Sequence, residues 1–281
     1  MELLSPSKPI TELVDLVIEP YIHLNPSFGI VISTDATLNE KYYANSIVEL
    51  AKKYNIDVEI AESKNIPEAG LAITKFKRNP KVQGIINLSN FGEATQNLND
   101  TIPPRLDVNA YSSLVKGKLV TSDGQIGFRR GPCGAAAGVK ILQYEGIDFE
   151  KKRIAVIGRD IQVGRPLAEM LCQQGASITI FNKNLENIDL SRFDIVYNTV
   201  KQRNFITSSF WKNGFEHLEY LIDIGANASD NGATQGSIKL DDFKDIDCKI
   251  ATLVGCIDQL TIIILFTKIY TNAAIMSGEM L

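Results

Sequence analysis

Runs of consecutive apolar residues alternate along this chain with stretches whose apolar positions recur at helical spacing. GIVIS at 29–33 is an apolar, β-rich run, and helical spacing follows over 40–54 until Asn55 ends it. Residues 58–61 read as the next strand, 66–78 as a helix that Pro80 breaks, and VQGIINL at 82–88 as a third buried strand. A β-α-β-α-β order implies a parallel sheet. Residues 89–131 are rich in Asn, Gly, Pro and Ser without a long periodic stretch, as expected of a linker or a functional loop region.

The alternation resumes at Pro132 with a small-residue helix over 133–144, a strand at 153–157 (RIAVI), a helix at 166–174 and a strand at 177–181 (SITIF). Further β runs at 194–197, 220–224 and 250–254 lead to a last helix near 258–274. The reading is an α/β fold of two domains with a boundary at about 120–132, the final helix packing back onto the first.

Composition adds exclusions. The 281 residues are 44% hydrophobic and 22% charged, ordinary for a soluble globular chain. With 29 basic and 33 acidic residues the net charge is −4, so neither nucleic acid nor an anionic membrane is an expected partner. The basic groups Lys151-Lys152-Arg153 and Arg129-Arg130 read as solvated loop charge. The N-terminus carries acids and prolines where an export signal needs a basic start and an apolar core. The most apolar run, 260–266, falls short of the roughly 20 residues that span a bilayer. Cysteines at 133, 172, 248 and 256 form no CxxC pair and accompany only His23 and His217, which argues against a zinc site or disulfide framework and fits a reducing cytoplasm.

After the strand at 153–157 comes Gly158-Arg-Asp-Ile-Gln-Val-Gly164-Arg-Pro166, a glycine-bounded turn opening a helix. Such a turn can aim backbone N–H groups and the positive helix end at a phosphate, although a plain tight βα connection has the same look. The next strand ends Phe181-Asn182-Lys183, without the acid that binds a ribose 2′-hydroxyl in NAD enzymes. Arg159 and Lys183 could pair with a 2′-phosphate, so NADP is preferred to NAD, a solvated loop lysine being the plain alternative for Lys183.

These residues resemble the bifunctional methylenetetrahydrofolate dehydrogenase/cyclohydrolases of the FolD type. The turn at 158–166 is similar to that family's GRSxIVGxP, Pro132-Cys133 with Gly138 and Leu142 to PCTPxGxxxLL, LDVNAY to KDVDGF, and LIDIGAN at 221–227 to VIDVGIN. TLVGCIDQLT at 252–261 stands where the family has PVPGGVGPMT. The resemblance implies two α/β domains with a cleft between them: a folate domain over 1–131, to which 258–281 returns, and a Rossmann-type NADP domain over 132–257. It also implies a homodimer and a tetrahydrofolate substrate, whose N5–CH2–N10 bridge is oxidised by hydride transfer to NADP and then hydrolysed. By the same resemblance Gly158, Arg159, Asp160, Gly164, Lys183, Thr199 and Ala226 would contact the cofactor.

Departures fall on the substrate side. The YVxxK motif aligns with Tyr42 to Ser46, so Ser46 replaces the family's catalytic lysine and has no comparable proton-transfer chemistry. Tyr42 would contact the substrate ring, or else be a core tyrosine. The glutamine of QLPLP falls within Asn87-Leu88-Ser89, and the prolines are gone. The pterin aspartate is Asn109, which would orient the substrate or cap a turn. Asp258 adds a carboxylate near the cleft, and by the resemblance it and Thr261 would join Tyr42, Asn87 and Asn109 as substrate contacts, whereas Cys133 and Cys256 read as buried small hydrophobes. Three readings follow: a dehydrogenase with weakened or lost cyclohydrolase activity, a same-fold NADP oxidoreductase refitted for another substrate, and a non-catalytic nucleotide- or partner-binding relative.

Overall fold

The computed structural model describes residues 1–121, 131–184, 188–228 and 233–280; Arg129-Arg130 lies outside them. The chain divides into two compact units.

One unit contains Ile10–Thr121, residues 131–133 and the chain from Ile262 onward. Its sheet is parallel, with β2 (Ser27–Ser33) in the centre between β3 (Asp57–Ser63) and β4 (Val82–Asn87). Every residue of β2 and β4 is buried, as befits parallel strands covered on both faces, whereas β3 is exposed or half-buried up to its last residue, Ser63. The crossovers are α2 (Leu38–Lys53) and α3 (Ile66–Arg78). Helix α2 starts at a capping box in which Thr37 accepts from the Glu40 amide and Glu40 from the Thr37 amide. It stops before Asn55, whose φ of 48° no helix continues. Helix α3 is capped by Asn65 and packs Ala69, Ile73 and Phe76 against Val31, Val82 and Ile85. Within the expected loop region lie two short helices, α4 (Ala94–Asp100) and α5 (Ser113–Val120). Helix α5 has almost no amphipathic pattern to give it away.

The other unit contains Met1–Pro9 and Gly134–Thr261. Its parallel sheet is built from β1 (Glu2–Leu3), β5 (Arg153–Ile157), β6 (Ser177–Phe181), β7 (Ile195–Asn198), β8 (Tyr220–Asp223) and β11 (Lys249–Ala251), in the order β1-β11-β8-β7-β5-β6. A short ribbon pairs β9 (Asn227–Ala228) with β10 (Thr234–Gln235). The first strand departs from the sequence reading: Glu2 and Leu3 pair with Lys249 and Ile250, so Met1–Pro9 belongs with the second sheet. Two residues cannot announce a strand by periodicity; only the edge they find defines them.

Helix α6 (Cys133–Tyr144) precedes β5, and α7 (Gly164–Cys172) links β5 to β6. The last helix, α8 (Asp258–Ser277), is apolar all round, and its residues 262–270 are buried. The stretch Leu253–Ser277 is long and apolar enough to cross a bilayer, more than the seven-residue run suggests. Of its most apolar window, 67% is buried inside the protein, the pattern of a core helix.

Candidate functional site

In the six-stranded sheet β5 stands between β6 and β7, and Ile157 is level with both Phe181 and Asn198. The chain leaves β5 towards β6 on one side and continues through β7 and β8 on the other, so the strand order reverses here. Crevices at such reversals, outside the carboxyl ends of the strands, are where open α/β sheets bind ligands. A pocket of about 480 Å³ opens there, lined by Gly158, Arg159, Asp160, Ile161, Gln162, Asn182, Lys183, Thr199, Val200 and Lys201.

The turn is held by short-range geometry. Gly158 sits at φ 100°, and a Cβ there would overlap the Thr199 hydroxyl. A Cβ on Gly164 would overlap the Gly158 carbonyl, so the helix start lies directly against the strand end. Thr199 donates its hydroxyl to the Ile157 carbonyl at 3.0 Å, and its amide donates to the same oxygen at 2.8 Å. The Asp160 carboxylate accepts from the amides of Gln162 (3.0 Å), Val163 (2.8 Å) and Gly164 (3.2 Å), capping α7. Arg159, Lys183 and Lys201 therefore face the pocket with only one carboxylate among the lining residues, and that one is committed to amides. This set fits a phosphate-bearing ligand.

Of the expected cofactor residues, Gly158, Arg159, Asp160, Lys183 and Thr199 line this pocket, and Gly164, outside the lining, lies against the Gly158 carbonyl. Ala226 is not among the lining residues; it follows Gly225, whose amide donates to the buried Asp223 carboxylate. Lys201 went unnoticed in the sequence because it lies beyond the β7 run, and only the pairing of β7 with β5 brings it to the pocket.

In the three-stranded unit the expected substrate residues are mostly committed to holding loops. Asn87 donates to Asn99 Oδ1 at 2.9 Å and accepts from the Ser89 amide, bracing the end of β4 against α4. Asn109, buried, accepts from the Cys133 amide at 3.1 Å. Asp107 takes the amides of Tyr111 and Ser112. Tyr42 is 38% exposed, and the tyrosine turned inward is its neighbour: the Tyr43 hydroxyl is buried with no hydrogen-bond partner among the described residues. Burial, reinforced by the nearby Cys133 and Tyr111, raises the Tyr43 hydroxyl well above its ordinary pKa. Four residues on, Ile47 is fully buried, whereas Ser46 is half-buried. Tyr43, Ile47 and Ala51 share one side of α2 at helical spacing.

Asp258 and Thr261 cluster with the six-stranded unit. Asp258 accepts from the Gly255 and Gln259 amides, and burial outweighs these bonds to raise its carboxyl. Thr261 returns its hydroxyl to the carbonyl of Ile257, the residue just before α8, at 2.6 Å. Cys133 and Cys256 are buried, and burial pushes the Cys256 thiol up to about 12, which makes it an inert packing group.

Residues 132–277 match the family described as tetrahydrofolate dehydrogenase/cyclohydrolase, NAD(P)-binding domain. The bifunctional protein FolD of Janthinobacterium sp. (strain Marseille) is 30% identical over 230 residues, covering 80% of this chain and 76% of its own. That of Coprothermobacter proteolyticus is 25% identical over 275 residues, covering 96% and 97%. Among solved structures, the FolD methylenetetrahydrofolate dehydrogenase/cyclohydrolase of Campylobacter jejuni superposes with a TM-score of 0.83 at 20% identity, over 97% of this chain and 98% of that one. The Trypanosoma brucei enzyme, solved with NADP and an inhibitor, gives 0.80 at 18% identity over 99% and 97%. The glycine-bounded turn and its cation-lined pocket lie within the matched domain, and the chain belongs to the tetrahydrofolate dehydrogenase/cyclohydrolase family.

Proposed function

We propose that this protein is an NADP-dependent methylenetetrahydrofolate dehydrogenase in which the cyclohydrolase activity is weakened or lost. The observation that carries the reading is the set of cations at the ends of β5, β6 and β7. Arg159, Lys183 and Lys201 line one pocket, and Asn182 stands where an acid would hold an unphosphorylated ribose. The NADP bound in the Trypanosoma brucei relative supports the same choice of cofactor.

Bound NADP would supply the hydride acceptor. The chain's own part in such a transfer is positioning. Gly158 and Gly164 draw the turn close to the sheet, Thr199 fixes its floor, and the three cations would hold the phosphate. Hydrolysis asks for more, because attack by water needs a group that moves a proton. Neither Ser46 nor Ile47 can do the work of a lysine ammonium, and the Asn87 amide is engaged by Asn99 and Ser89.

The test is absorbance at the reduced-nicotinamide band with purified protein, methylenetetrahydrofolate and either NADP or NAD, followed by methenyltetrahydrofolate alone. Reduction is expected with NADP in preference to NAD, and methenyltetrahydrofolate should decay at its uncatalysed rate. No reduction with either cofactor overturns the dehydrogenase reading. A second reading, an NADP oxidoreductase refitted for another substrate, draws on the inward commitment of Asn87 and Asn109. NADP binding without turnover of methylenetetrahydrofolate would favour it.

A further inference from the structure

A helix N-terminus presents unpaired amides and a partial positive charge, the usual seat of a dinucleotide's phosphates. In this protein that seat is taken. Asp160 accepts at 2.8 to 3.2 Å from the amides of Gln162 and Val163, just ahead of α7, and of Gly164, its first residue, while the next amide, of Arg165, donates to the Asp160 carbonyl. Its Oδ2 also lies 3.5 Å from the Thr199 hydroxyl on the floor of the turn. A full negative charge thus sits on an end worth about half a positive charge, so that end, taken without the neighbouring cations, repels anions. Asp160 is exposed and lines the pocket, so the repulsion reaches the ligand space. The motif that this turn resembles has a neutral serine at the same place. Attraction comes instead from Arg159, Lys183 and Lys201.

We propose that Asp160 keeps the bridging diphosphate of the cofactor off the N-terminus of α7, so that the cofactor is held chiefly through its ribose phosphate at the cations. The inference rests on the reading of this pocket as an NADP site. Asp160 thereby lowers the affinity for NAD and NADP alike, and the choice between them rests with the cations at the ribose phosphate.

Titration calorimetry with NADP, NAD and adenosine 2′-monophosphate tests it on the whole protein. Asp160→Asn removes the charge and keeps an acceptor for the cap, and Asp160→Ser serves as a second neutral cap; their Tm values show that the turn survives. The expected result is that both variants bind NADP and NAD about tenfold more tightly, from the loss of one like charge near the diphosphate. Adenosine 2′-monophosphate, which has no diphosphate, should be unaffected. Lys183→Ala should weaken NADP and adenosine 2′-monophosphate while leaving NAD alone. If the wild type binds NADP and neither variant binds it more tightly, or if all three ligands tighten equally, the role given to Asp160 is overturned and the NADP reading stands. If neither wild type nor variants bind NADP or adenosine 2′-monophosphate, both are overturned.

Discussion

The Asn109 side chain accepts a hydrogen bond from the Cys133 amide at 3.1 Å, joining a loop residue to the first residue of α6. Both are buried, and two residues earlier Asp107 gathers the amides of Tyr111 and Ser112 around Ala110, whose φ is 58°. The loop at 107–112 is thereby fixed by side chain to backbone bonds, although its composition reads as irregular. A side chain drawn from sequence as a substrate ligand has its carbonyl oxygen occupied by structure.

Asn109→Ala should leave the Cys133 amide buried without its acceptor. The cost is about 1–3 kcal/mol, read as a lower urea midpoint with an unchanged denaturant slope. A loss well under 0.5 kcal/mol would show that water or another group replaces the acceptor.

Gly158→Ala combines a left-handed backbone with an overlap on the Thr199 hydroxyl. The backbone conformation alone costs about 1 kcal/mol or more for a residue with a Cβ. We expect a lower Tm and weaker NADP binding. Adding Thr199→Ala relieves the overlap and not the strain, so the double variant should recover part of the loss. Full recovery would mean that φ at this position carries no penalty.

The inward tyrosine is Tyr43, and its partner one helical turn on is Ile47. Ile47→Lys should therefore raise hydrolysis of methenyltetrahydrofolate above background, and Ser46→Lys should not. Because Ile47 is fully buried, the same variant should lower Tm, a desolvation effect that binding of a folate analogue would partly offset. A gain from Ser46→Lys alone would restore the pairing of Tyr42 with Ser46.

Asp189 is held at about 2, first by the Ser191 hydroxyl and amide and then by Asn213 and the Lys212 amide. Its unfolded value is about 3.9. A carboxyl lowered on folding stabilises the native state above its unfolded pKa, and that contribution fades as pH falls from about 4 to about 2. Urea midpoints of the wild type should thus drop more steeply across this window than those of Asp189→Asn. Parallel curves would place the acid sensitivity elsewhere.

Much of the scaffold was legible without coordinates. Local signals recur at each element: the capping box of Thr37 and Glu40, Asn55 after α2, the Asn65 cap of α3, and the apolar runs within β2, β5 and β7. These depend on neighbours within a few residues, so periodicity and turn chemistry find them. The edge strand Glu2–Leu3 and helix α5 escaped because two residues or a weakly patterned turn acquire structure only from what they pack on.

The sequence by itself determined the two α/β units, the glycine-bounded turn and the absence of an acid after β6, since each is a property of residue type and spacing. Only the tertiary structure decided which groups meet. Strand pairing set Lys201 beside Arg159 and Lys183, helix phase turned Tyr43 inward and left Tyr42 exposed, and the fold of the turn placed Asp160 on the amides that the sequence had offered to a phosphate. A residue's identity fixes what it can bond; whether a ligand or its own backbone takes the bond is settled by distances that no linear pattern contains.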